Sequence, residues 1–184
     1  MENALNKTGL INLCAIDRTG VRGLNAETFL NDLGLPIPAS PNHALSSSDG
    51  AWVLRLSQKE FWILENPVIC SNSAEKVRQA AMPASDCYRL FCRDGHAWFA
   101  LTGDELPNIM AKICGVDMRA AAFPLGSIAQ TSVARLNAIV VHHQINGAAC
   151  FSVLCDSAAA EYMSACLLDA MQEFSGIELA LPSN

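Results

Sequence analysis

Phe123-Pro-Leu-Gly-Ser-Ile-Ala-Gln-Thr-Ser-Val-Ala-Arg-Leu-Asn137 is the stretch on which the reading of this chain turns. Pro124 and Gly126, two residues apart, set a rigid turn. A β-branched run follows, with Gln130, Thr131, Ser132 and Arg135 threaded through it. The run continues through Ala138-Ile-Val-Val141 to His142-His143, so most of it reads as strand. Downstream, Asn146-Gly147 between two apolar runs is a strong hairpin signal.

The stretch has an earlier echo. At an offset of 80, Gly23 falls on Gly103 and Val21 on Leu101. Phe29, Leu30 and Leu33 fall on Ile109, Met110 and Ile113. Leu45 falls on Leu125 and Ser47 on Ser127. Val53, Arg55 and Leu56 fall on Val133, Arg135 and Leu136. With a longer arm at residues 142–147 allowed for, Phe61-Trp-Ile-Leu64 matches Phe151-Ser-Val-Leu154. Each unit reads strand, Gly, helix, Pro-containing loop, then a hairpin. The expected fold class is α+β: one domain over 1–184, made of two similar α/β half-units, 9–66 and 87–176, with antiparallel sheets.

Along the chain, Gly9 to Ile16 and Thr19 to Gly23 read as strands, and Asn25 as the N-cap of a helix to Leu33. Pro36, Pro38 and Pro41 mark a loop, and Ser46 to Gly50 a turn. Ala51 to Ser57 with Phe61 to Glu65 reads as a hairpin, and Ser73 to Ala81 as a short helix. Cys87 to Cys92 and His96 to Thr102 read as strands about a turn, followed by a helix from Asp104 to Ile113. The last helix follows Asp156 or Ser157, with a stripe of Ala159, Tyr162, Cys166, Ala170 and Phe174, widened by Leu167, Leu168 and Met171.

The 184 residues can bury one good core. Only 16% are charged, an early pointer to surface hidden against another chain, and the net charge of −6 with scattered Lys and Arg argues against nucleic acid. No apolar run reaches a membrane span, and Met1 to Arg22 lacks a leader pattern. Eight cysteines carry no C-x-x-C spacing and no close His, so thiols packed as small hydrophobes in a reducing cytosol are expected, with no metal.

Four residues stand out as candidates for a pocket or interface. Gln130 and Thr131 would line a pocket or satisfy backbone groups. Arg55 and Arg135, equivalent under the offset, would pair with acids in the chain or across an interface. His142-His143 on a strand point to opposite faces and read as solvated hairpin residues. Trp52, Trp62 and Trp98 read as core or interface. No catalytic, cofactor-binding or metal-binding residue emerges.

Several motifs together resemble the gamma subunit of heterotetrameric sarcosine oxidase: Gly9 to Gly23, Ala51-Trp-Val-Leu-Arg-Leu56, Phe99-Ala-Leu-Thr-Gly103, Cys114-Gly-Val-Asp-Met-Arg119, Gly126 to Asn137, and Ala160-Glu-Tyr-Met163 with Leu167 to Phe174. That family shares the fold of the folate-binding domain of glycine-cleavage T-protein. The resemblance implies larger alpha and beta subunits and a small delta subunit as partners. FAD, FMN, NAD and tetrahydrofolate would sit in those partners and none in this chain. It implies a cytoplasmic complex that oxidises sarcosine to glycine, in which this chain is a non-catalytic member. The T-protein family carries a carboxylate after its Gly-turn, whereas no Asp or Glu lies between Asp117 and Asp156 here. A stand-alone folate-binding protein of that fold, or a gamma-like subunit of a related N-methyl amino acid oxidase or dehydrogenase, are the alternatives.

Overall fold

A computed structural model describes residues 7–181. The leader expectation rests partly on Met1 to Asn6, which lie outside the described residues. The described residues form two compact units, one of residues 16–95 and one of residues 7–15 with 96–181. Both mix α-helix with a largely antiparallel sheet.

In the unit of residues 16–95, five strands order as β3 (His43–Ser46), β4 (Trp52–Arg55), β5 (Glu60–Leu64), β2 (Arg18–Arg22) and β6 (Tyr88–Leu90). Helices α1 (Ala26–Asp32) and α2 (Ser73–Gln79) bring Ala26, Phe29, Leu30, Ala74 and Val77 into a core with Val21, Val53, Phe61 and Ile63. A short helix α3 (Cys92–Gly95) stands where a plain turn was expected. β3 was also not foreseen, because only Ala44 of its four residues is buried, too little for a period-two signal. Asn25 precedes α1 without capping it: its Nδ2 instead donates to the Ser85 carbonyl at 3.0 Å.

In the other unit, six strands order as β11 (Ile177–Leu179), β1 (Gly9–Asn12), β7 (His96–Thr102), β10 (Ala148–Asp156), β9 (Leu136–Ile145) and β8 (Ile128–Val133). All pairings are antiparallel except β1 with β11. Helices α4 (Leu106–Ala111) and α5 (Ala160–Met171) cover one face, where Leu106, Ile109, Met110, Met163 and Leu167 meet Phe99, Leu101, Val140, Phe151 and Val153. Burying side chains such as Met163 and Leu167 stabilises the unit by about 1.5–3 kcal/mol each.

The α5 stripe differs from the sequence reading. Met163, Leu167, Ala170 and Met171 are buried, while Tyr162 is 51% exposed. Residues spaced by four advance roughly 40° per step round a helix and leave the buried face. Spacings that alternate three and four stay on it. The helix starts after a 3-10 turn (Ser157–Ala159), whose first amide group is met by Asp156: its Oδ1 accepts from the Ala158 N–H at 2.8 Å.

The strand reading of the organising stretch needs a further correction. Ala134 and Arg135 are not strand but a two-residue turn, since Val133 pairs with Leu136. The expected equivalence of Arg55 and Arg135 therefore fails. Val21 pairs with Phe61 and Phe61 with Arg55 in one sheet. Leu101 pairs with Phe151 and Phe151 with His142 in the other. The position of Arg55 corresponds to His142, and the added length falls on both sides of β9. β1, which opens the expected half-unit 9–66, lies in the other sheet beside β7.

Two glycines hold equivalent places. Gly23 ends β2 at φ 147° and Gly103 follows β7 at φ 104°. A Cβ on Gly23 would lie 1.9 Å from the Asp86 carbonyl oxygen, just before β6, and one on Gly103 would lie 2.7 Å from Thr8 Cα, just before β1.

Candidate functional site

The start of β7, the start of β9, the end of β10 and the middle of β8 together line a cleft of about 510 Å³. Across the sheet, Gln130 pairs with Ile139 and Ile139 with Leu154, while Thr131 pairs with Ala138 and Ala138 with Cys155. Asp156 and His96 are register partners at the rim. Gln130, Thr131 and Asn137 give the cleft neutral hydrogen-bonding groups, with one acid and one imidazole beside them. Burial, with smaller contributions from Cys14 and Asp156, pushes the Cys155 thiol up to about 11, so it stays protonated and is no nucleophile at neutral pH. The cleft is built to accept hydrogen bonds and to donate them. It offers no activated group for covalent chemistry.

Gln130 and Thr131 are thus brought to one site, and the two arginines are not. Arg55 turns inward in β4, its side chain 8% exposed. Its Nη2 donates to Glu27 Oε2 at 2.8 Å and its Nη1 to the Pro38 carbonyl at 2.9 Å, and the guanidinium lies 5.2 Å from the Phe61 ring centre. The first turn of α1 supplies the acid, so this pair ties helix to sheet inside one unit. Glu27→Ala leaves a buried guanidinium without its counter-charge. We expect a loss of about 1–2 kcal/mol in urea unfolding, at the low end because Glu27 is half exposed. Arg135 lies in the β8–β9 turn and borders a separate groove.

The sequence reading also missed a buried polar row on the sheet face that carries Gln130 and Leu154. Trp98 Nε1–H donates to Ser152 Oγ at 2.7 Å, and His143 Nε2 lies 2.6 Å from the same oxygen and 3.4 Å from Cys150 Sγ. The indole can only donate, so Ser152 accepts from it, and the contact between Ser152 and His143 takes its direction from the imidazole tautomer. His143 is 1% exposed, which corrects its reading as a solvated hairpin residue. Burial drives its pKa down to about 4, only partly opposed by the backbone of Gln144, and the ring is neutral. The period-two alternation that separated His142 from His143 was sound; what it could not show is that both faces of β9 are covered. His142 itself is half-buried, its Nδ1 2.8 Å from the Phe123 carbonyl and its ring edge-on to Phe151.

Trp52, Trp62 and Trp98 are all buried. Among the described residues no three His, Cys, Asp or Glu side chains stand where they could share a metal ion, and the eight cysteines are free thiols. No helix among them is long and apolar enough to cross a membrane.

No protein-family model and no curated protein matches the chain. Solved structures do. A chain of the heterotetrameric sarcosine oxidase from Corynebacterium sp. U-96, in complex with pyrrole 2-carboxylate, matches 96% of this chain over 92% of its own length, with a TM-score of 0.74 and 21% identity. The glycine cleavage system aminomethyltransferase T from Bartonella henselae matches 96% of this chain with a TM-score of 0.63 and 14% identity. That match takes 49% of the aminomethyltransferase, so the present chain spans about half its length. Both agree with the resemblance that the motifs carry. The chain has the fold of a chain of that heterotetrameric sarcosine oxidase, and of about half of the T-type aminomethyltransferase.

Proposed function

We propose that this protein is a non-catalytic gamma subunit of a heterotetrameric sarcosine oxidase, or of a closely related oxidase or dehydrogenase of N-methylated amino acids. One observation carries the reading. The correspondence with a chain of a four-subunit oxidase runs end to end in both directions, whereas the aminomethyltransferase is matched over half its length. The cleft thiol, held protonated, is in keeping with it.

In this reading the larger alpha and beta subunits, accompanied by a small delta subunit, hold FAD, FMN, NAD and tetrahydrofolate between the two of them. They carry out the oxidative demethylation of sarcosine to glycine with one-carbon transfer to tetrahydrofolate, and this chain contributes surface. The complex would be cytoplasmic, in keeping with eight unpaired thiols. The matching element order β2-α1-β3-β4-β5-α2 and β7-α4-β8-β9-β10-α5 supports an origin in two copies of one unit, the first running from Arg18 to Gln79 rather than over 9–66.

The competing reading is a stand-alone folate binder, favoured by the aminomethyltransferase fold alone. Purification of the tagged chain from its native host tests both. Larger partners in fixed ratio, with flavin absorption, are the expected result. A lone colourless chain that binds tetrahydrofolate on titration would replace the subunit reading with the second.

A further inference from the structure

Two hairpin turns in the same sheet are made from different residues. Asn146-Gly147, with φ of 48° and 79°, joins β9 to β10 with the pair such left-handed turns favour. Ala134-Arg135 joins β8 to β9 at φ of 49° and 69°, where neither residue is at ease. The turn is held from outside. The Ala134 N–H donates to the Ile113 carbonyl at 2.8 Å, Val133 bridges Cys114, and the Tyr162 hydroxyl donates to the Ala134 carbonyl at 3.2 Å. The segment after α4 and the outer face of α5 thus fix the root of the Arg135 side chain. Backbone strain that neighbouring elements maintain is a mark of function.

Arg135 borders an open groove of about 560 Å³ whose walls include Ile113, Cys114, Ser132 and Tyr162. Lys112, on the same groove, is engaged: its Nζ is 3.3 Å from Glu173, donates to the Ala170 carbonyl at 3.1 Å and lies over the Phe174 ring. Arg135 is exposed and has no ion-pair partner among the described residues. Tyr162 lines the same groove, 51% exposed.

We propose that this groove docks an acidic side chain of a partner polypeptide, whose carboxylate pairs with the Arg135 guanidinium in the groove that Tyr162 also lines. A fork of N–H donors matches a carboxylate with two parallel hydrogen bonds. An unpaired cation in a chain of net charge −6 is complementary to an acid brought by another chain. The occupant is a polypeptide rather than a small acid because the groove is open. A small molecule in it would keep much of its surface in water, whereas binding pockets bury most of their ligand. An exposed Tyr beside an Arg is also the composition of interface anchors.

The inference rests on the subunit reading above, and its test separates the two. The complex is purified from the native host with the chain carrying Arg135→Lys and treated with a water-soluble carbodiimide, which joins an amine to a touching carboxylate. Mass spectrometry is expected to find an amide between position 135 and an Asp or Glu of a flavin-bearing partner. Replacing Ala134-Arg135 by Asn-Gly keeps the turn with residues suited to it and removes the cation. This variant is expected to bind the partner about 10-fold more weakly, with a shallower salt dependence, and to stay folded. An intact complex with no amide to a partner, an amide only to this chain or to a second copy of it, or unchanged affinity of the Asn-Gly variant would overturn the docking site and leave the subunit reading standing. A wild-type chain that brings down no flavin-bearing partner overturns the subunit reading itself, and the docking site with it.

Discussion

Gly23→Ala and Gly103→Ala are each expected to cost about 4 kcal/mol or more of stability, against about 1 kcal/mol for Gly34→Ala. All three glycines have positive φ, but at 147° and 104° the first two lie beyond the left-handed region that Gly34 approaches at 73°. The surroundings add to that difference. A methyl at Gly23 would meet the Asp86 carbonyl at 1.9 Å and Cys87 Cα at 2.9 Å; at Gly103 it would meet Thr8 Cα and N at 2.7 and 2.8 Å. These are backbone atoms at the mouths of β6 and β1, and they cannot yield without moving a strand. Relief at Gly23 would also disturb the Asn25 N–H bond to the Asp86 carbonyl at 2.9 Å, which fixes the approach to α1. At Gly34 nothing lies within 4 Å. Urea midpoints of the three variants check this, and equal losses in all three would overturn it.

The second large effect is a loss of stability in mild acid through His143. Its folded pKa is about 4 against 6.5 for the free imidazole. A base with a lowered folded pKa binds its proton more readily in the unfolded chain. Its contribution is therefore complete above pH 6.5, declines as pH falls, and is gone below about pH 4. The shift corresponds to about 3 kcal/mol. Protonation would also place a charge in the row, at a ring that burial has removed from water. Glu65 acts in the opposite sense. Burial, with Asp49 and Asp17 adding to it against the Ser71 and Ala74 hydrogen bonds, raises its carboxyl pKa. The folded form thus gains relative to the unfolded one as that group takes its proton. The comparison of wild type with His143→Gln isolates the imidazole, since Glu65 is common to both. Unfolding free energies at pH 7.5, 5.5 and 4 are expected to fall more steeply in wild type than in the variant; parallel curves would remove His143 as the acid-sensitive group.

Much of the fold could be read before any coordinates. β7 (His96–Thr102) came out with both ends right, because its continuous apolar run is bounded by Arg93-Asp-Gly95 before it and Gly103 after it. Asn146-Gly147 announced the β9–β10 hairpin, since its chemistry suits left-handed φ. Gly23 and Gly103 were matched to each other by position alone, and the structure gives them the same steric task. The Ala134-Arg135 turn was invisible for the converse reason. Its residues have no turn preference, and its geometry is imposed by Ile113, Cys114 and Tyr162, which are distant in sequence.

Local pattern also misassigned the residues whose roles depend on what covers them. Arg55 and Arg135 share a Val-x-Arg-Leu context, yet one is sealed against Glu27 and Phe61 and the other stands in the open. His143 and the Trp98–Ser152 pair became a buried row only when three strands came into register. Sequence by itself determined the class of fold, the order of most elements, the two close-approach glycines and the absence of a carboxylate between Asp117 and Asp156. Tertiary structure alone decided the register of the hairpins, the charge state of His143 and which arginine keeps a free face. Periodicity and turn chemistry are properties of neighbouring residues, whereas burial and counter-charge come from residues the chain brings together only by folding.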